Sequence, residues 1–234
     1  LIQEILKRKL FQICSAQEIE KYYQLAGAYF AGNGFPDEGI QYFLLGNDEK
    51  KAIAIIASNW EELIDLGQNL RLNRWLQMLP AGISEKHPTL LLIKAYLCDT
   101  FSNFELMGKC LDRALKLIDE EKADPRWLGS FAAVHACYSC YTGDIPSTIK
   151  YASKALDLLY PAPGFLFDYA LNFKVLSLNM TYREAEAREL IDSIRLRLEP
   201  GDRRRLMRTN VIQMLSDANQ ARIRDLKHLG QLVI

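Results

Sequence analysis

Residues 91–118 and 132–159 carry one pattern twice, displaced by 41 positions. Ala136 falls on Ala95, Asp144-Ile145 on Asn103-Phe104, Lys150 on Lys109, Ala155-Leu156 on Ala114-Leu115, and Leu158-Leu159 on Leu117-Ile118. A fixed period of this size marks helix pairs stacked into a solenoid, in which each unit covers the apolar flank its neighbour leaves open. The expected fold is therefore all-α: a right-handed superhelix of antiparallel helix pairs. Such scaffolds present surfaces for binding more often than they carry out chemistry.

Helical spacing of apolar residues runs almost the whole length. It predicts helices over 1–13 and 17–31, with Tyr22, Tyr23, Tyr29 and Phe30 on the second. Asn33-Gly34 stops that helix and Pro36 opens the next, because glycine accepts a left-handed turn and proline fits a first helical turn. Asn47-Asp48 caps another helix, Gly67 stops it, and a short helix around Trp75 ends at Pro80. The Pro80–Pro88 stretch is loop chemistry and the best internal boundary, giving regions 1–80 and 81–234. Helices 88–101 and 103–120 form the first repeat, and 125–142 and 145–159 the second. Segments of roughly 165–179 and 182–198 form a third, in a register open by a residue or two. A last helix follows Pro200-Gly201-Asp202.

Lys plus Arg and Asp plus Glu each number 29, so no basic surplus is available to hold nucleic acid by bulk charge. The odd set of five cysteines fits no secreted disulfide framework, and no apolar run is long enough to span a membrane. A cytoplasmic protein that does not enter membranes is expected. The opening Leu-Ile-Gln-Glu suggests a piece of a longer chain.

These hairpins resemble tetratricopeptide units with a lengthened connection, 41 residues against a usual period of about 34. The first hundred residues resemble, more specifically, the region after the ATPase and winged-helix modules of MalT-like regulators. Those are LuxR-class transcription activators of the STAND group. The matching phrases are Leu1 to Leu6; Tyr22 to Phe30 followed by Asn33-Gly34-Phe35-Pro36-Asp37-Glu38-Gly39-Ile40; Gly46-Asn47-Asp48 with Ala52; and Arg74-Trp75-Leu76 with Leu79-Pro80, His87-Pro88 and Leu90 to Leu92. Gly39 stands where the family usually has Ala.

The resemblance implies that 1–80 is a helical arm and 81–234 the start of a sensor that receives a small-molecule inducer or a regulatory protein. It also implies that ATP is held by an upstream domain and DNA by a C-terminal one, both outside this sequence. No P-loop occurs, so no cofactor is expected in this fragment, and no catalysis. The alternative is a plain repeat adaptor that binds a partner protein without an inducer.

The candidate groove lies on the first helix of each pair. The position after its small Ala, and one turn further, gives Tyr96, Asp99, Thr100, Cys137, Cys140 and Tyr141. Lys174 joins if the third pair keeps register. Tyr96, Asp99, Cys137, Tyr141 and Lys174 form the binding set carried forward, a mix suited to a polar small molecule or peptide. The competing reading is that the tyrosines pack between repeats.

Cys137-x-x-Cys140 beside His135 lacks a second ligand pair at zinc spacing and reads as packing. His87 and His228 read as surface residues, and Glu61-Glu62 and Glu120-Glu121 as solvated helix ends. Arg203 to Arg205 with Arg208 reads as a solvated face, ion-paired to Asp192, Glu199 and Asp202.

Overall fold

The computed structural model describes Lys9 and residues 12–119, 121–199 and 201–232, with side chains through Ala221. Among the described residues the fold is all-α, with eleven α-helices and no strand. They are α1 (Ala16–Gly32), α2 (Pro36–Leu45), α3 (Glu49–Asp65), α4 (Asn69–Met78), α5 (Pro88–Thr100), α6 (Phe104–Lys116), α7 (Pro125–Tyr141), α8 (Ile145–Leu159), α9 (Phe165–Met180), α10 (Glu184–Arg195) and α11 (Arg203–Leu232). Most of the helix expected over 1–13 lies outside the described residues, as does the side chain of His228. No described helix is long and apolar enough to cross a membrane.

One turn recurs six times. The residue after each helix's last turn takes a left-handed backbone: Gly34, Asn47, Gly67, Ser102, Gly143 and Tyr182. The next residue then donates its N–H five positions back, as from Asn103 to Cys98 at 2.9 Å, Asp144 to Ser139 at 2.9 Å and Arg183 to Leu178 at 2.9 Å. This closes one helix as a Schellman motif. The same residue is the N-cap of the following helix. Asp48, Asn103 and Asp144 each accept a further bond from the backbone three residues on. A single residue thus satisfies orphan groups of two helices, which fixes them as a tight hairpin. Tyr182 is the exception in chemistry: an aromatic residue held at φ +59°, where a bulky L side chain is strained.

The chain divides into two compact units, Leu1–Lys94 and Ala95–Ile234. The division falls inside α5, whereas the sequence places its boundary in the Pro80–Pro88 loop. In the first unit α1 packs on α2, and α2 and α4 pack on α3. Ala52, Ile56, Trp60 and Leu63 recur at helical spacing along α3 and are all buried. Each large apolar side chain so buried contributes roughly 1.5–3 kcal/mol. Asp37 at the start of α2 accepts hydrogen bonds from Arg71, Arg74 and the Trp75 indole of α4. His87 is half-buried, not at the surface as its loop position suggests. Its Nδ1 is enclosed without a partner, and burial pulls its pKa below the ordinary histidine value.

In the second unit α7 and α8 form the tightest hairpin, α9 packs on both, and α10 and α11 pack on α9 and on each other. The seams are lined by small residues. Ala132, Ala136, Ala152 and Ala155 are fully buried. A Cβ at Gly129 would stand 2.8 Å from Leu159, and one at Gly108 2.6 Å from the Tyr138 hydroxyl. Close axial approach therefore depends on residues with little or no side chain.

Helix α11 is fastened along α9 at two points. Arg205 and Arg208 reach the carboxylate of Asp168, at 3.5 and 3.3 Å, and Asp168 is only 3 % exposed. Further along, Asn179 donates to Ser216 at 2.9 Å and accepts from Gln220 at 3.3 Å, all three being buried. This corrects the reading of the arginine run. Arg203 and Arg204 are exposed, but Arg205 and Arg208 turn inward, lie over the Phe167 and Phe165 rings, and clamp a buried acid. Asp168 was invisible as their partner because it lies far back in sequence, on another helix.

Candidate functional site

Four of the five candidate residues meet in the second unit. Asp99 on α5 accepts a 2.8 Å hydrogen bond from the Tyr169 hydroxyl on α9. Tyr96 packs edge-on against Phe165 and Tyr169, with ring centres 6.0 and 5.9 Å apart. Tyr141 stacks on Phe104 at 4.0 Å and meets Phe173 at 6.1 Å. Cys137 is fully buried and bonded into the Asp99–Tyr169 pair. Burial, with Asp99 adding repulsion, pushes its thiol far above the ordinary cysteine range, which favours the protonated form. Burial, with Cys137 and Asp99 beside it, likewise raises Tyr169 well above the usual phenol value.

These side chains fill the space between α5, α7 and α9. Tyr96 is 4 % exposed and Cys137 is inaccessible, while Tyr141 alone among the four is more than half exposed. The cluster is a polar knot inside an aromatic seam. His135 belongs to a neighbouring seam, stacked on Tyr151 at 3.8 Å with its Nδ1 3.1 Å from Ser139. Among the described residues no group of three His, Cys, Asp or Glu side chains is placed to hold a metal ion.

Lys174 lies elsewhere. Phe173, not Lys174, meets Tyr141, and successive helical residues are turned by about 100°. Lys174 is thereby carried to the flank of α9 that faces α8 and α10. There it forms part of the wall of two adjoining hollows, of about 410 and 330 Å³, which also share Leu190 and Ser193. The first continues to Ser153, Leu178, Arg183 and Glu186, and the second to Asp157, Tyr160 and Arg197.

The groove's charges are not equally occupied. Arg183 holds Glu186 through two bonds of 2.7 and 2.6 Å. Arg197 lies over the Tyr160 ring at 5.5 Å. Ser153 and Ser193 donate to backbone carbonyls of their own helices and keep lone pairs free to accept. Lys174 is half-buried, and among the described residues no ion pair within 4 Å reaches it. Burial pulls its ammonium below the ordinary lysine value; Asp157 and Glu186 oppose that pull, and Arg183 adds to it. What the groove can do chemically is receive an acid on that ammonium.

Sequence reasoning missed Tyr169, Phe173 and Ser193. The first two were readable as a stripe, since Phe165, Tyr169 and Phe173 recur every four residues. Ser193 had no signal, because its place in the groove depends on how α10 crosses α9. No known protein family, characterised protein or solved structure matches the chain.

Proposed function

We propose that this chain is a recognition module, a right-handed superhelix of antiparallel helix pairs, and that its working surface is the groove around Lys174. In this reading it is the arm and sensing region of a MalT-like, ATP-dependent transcription activator. The occupant is an extended segment of a regulatory protein that places a carboxylate on Lys174.

The observation that carries the proposal is the half-buried ammonium at the junction of two hollows, with no ion-pair partner among the described residues. Withdrawing a cation from water without a partner costs free energy, and an incoming carboxylate recovers that cost as binding. The shape favours an extended chain. Glu189, Ser193 and Arg197 line the groove at four-residue steps along α10 and beyond its end. Eight residues of helix span about 12 Å, the reach of about four extended residues.

Signalling follows from differential affinity. A segment that bridges α8 and α10 favours the packing in which those helices are correctly spaced. It shifts the parent protein only to the extent that it binds that arrangement better than the other. The test is an array of ten-residue peptides with and without a central Asp or Glu, probed with the native chain and with K174M. Acid-centred peptides retained by the native chain and lost by K174M support the proposal. Equal retention by both proteins, or retention of neither peptide class, overturns it.

A further inference from the structure

Helix α11 is fastened to α9 at the Asp168 clamp and again at the Asn179–Ser216–Gln220 bonds. Between and beside these fastenings the two helices do not close. A pocket of about 250 Å³ opens there, walled by Phe165, Tyr169, Met207, Val211 and Leu215; the Tyr169 hydroxyl is taken up by Asp99, and Asn172 is the other uncharged polar side chain of the lining. Asn172 is half-buried and has no hydrogen-bond partner among the described residues. Asn172 and Lys174 are about 200° apart around α9, so this pocket is separate from the groove.

We infer that this pocket is a binding site for a small neutral aromatic molecule with one amide-like or hydroxyl head, held by Asn172. Size sets the class. The volume exceeds the roughly 150 Å³ that holds benzene and falls short of the roughly 300–1,000 Å³ of drug-sized sites. One substituted ring fits, and a helix does not. The wall chemistry sets the body of the ligand as apolar, because aromatic and aliphatic side chains dominate it. Asn172 sets the head: its amide offers a donor and an acceptor side by side, which matches a carboxamide or an N–H next to a carbonyl. Arg208 and Asp168 at the margin hold one another and leave no bare charge for the ligand to neutralise. A neutral head is therefore preferred over an ionised one. Met207, Val211 and Leu215 are 64 %, 47 % and 50 % exposed, which leaves the mouth open to solvent.

The test titrates the full chain with benzamide and with toluene, which share the ring and differ in the head. Amide resonances of residues 169–172 and 207–215 are followed by NMR. Saturable shifts there with both probes are expected. N172L is expected to weaken benzamide about tenfold or more, the loss of one hydrogen bond, and to leave toluene unchanged. V211W, or L215W if the former folds poorly by circular dichroism, fills the space and is expected to abolish both. Absence of shifts at these residues, an equal effect of N172L on both probes, or undiminished binding to a folded tryptophan variant overturns the inference.

Discussion

The Tyr169 hydroxyl donates to Asp99 across seventy residues of sequence, at 2.8 Å, and so ties α9 to α5. The bond is made inside an aromatic seam and ends on a carboxylate, so it is worth more than an exposed neutral one. Y169F keeps the ring packing and removes only this bond. It is expected to lower unfolding free energy by about 2 kcal/mol in urea titration. D99N keeps an accepting oxygen and is expected to cost less.

Asp168 sets a pH dependence. Burial pushes its carboxyl up to about 6 despite the attraction of Arg205 and Arg208. The folded chain therefore binds this proton more tightly than the unfolded chain, where an aspartate titrates near 4. Its contribution to stability is fully present below about pH 4 and is lost as pH rises through 6, by about 3 kcal/mol in all. D168N has no such proton. The stability of the native chain relative to D168N is expected to fall between pH 4 and 7 by that amount, measured by urea titration. A rise over the same range contradicts the assignment.

Tyr182 is 70 % exposed and contributes little packing, yet sits at φ +59°. Glycine is at ease there. Y182G is expected to raise stability by about 1 kcal/mol, seen as a higher urea midpoint at unchanged slope. The reverse change, Gly143→Tyr, in the equivalent turn of the preceding hairpin, is expected to lower it.

Ala155 has no exposed surface where α8 meets its neighbours. A155F is expected to cost about 1–3 kcal/mol by overpacking, whereas an equally large change at exposed Leu196 (87 % exposed) is expected to cost almost nothing.

What could be read from residues alone was whatever is local. The turn at Gly143-Asp144 and the caps at Asp48 and Asn103 depend on a few adjacent residues, and the sequence displays them. So does the small-residue seam at Ala136 and Ala155, because the 41-residue repeat exposes it. The sequence put Tyr96, Asp99, Cys137 and Tyr141 on an open groove wall; the structure gathers them in a seam in which Tyr96 and Cys137 are buried. Lys174 was not placed, because the third pair keeps its period less strictly and one residue of slip turns a side chain to another flank. The Asp168 clamp was misread because charge runs carry no information about a distant buried acid. The Asn172 pocket had no signal at all, since it is the space left between two fastenings rather than a pattern in either helix.

The central claim is that recognition takes place in the α8–α10 groove and not at the aromatic seam around Asp99. A photo-reactive amino acid at Ser193, compared with one at exposed Tyr141, tests this in cells expressing the chain. An adduct formed from position 193 on an acidic segment of a partner, and absent with K174M, is the predicted result. Adducts from position 141 alone, or adducts at 193 that survive K174M, would contradict it.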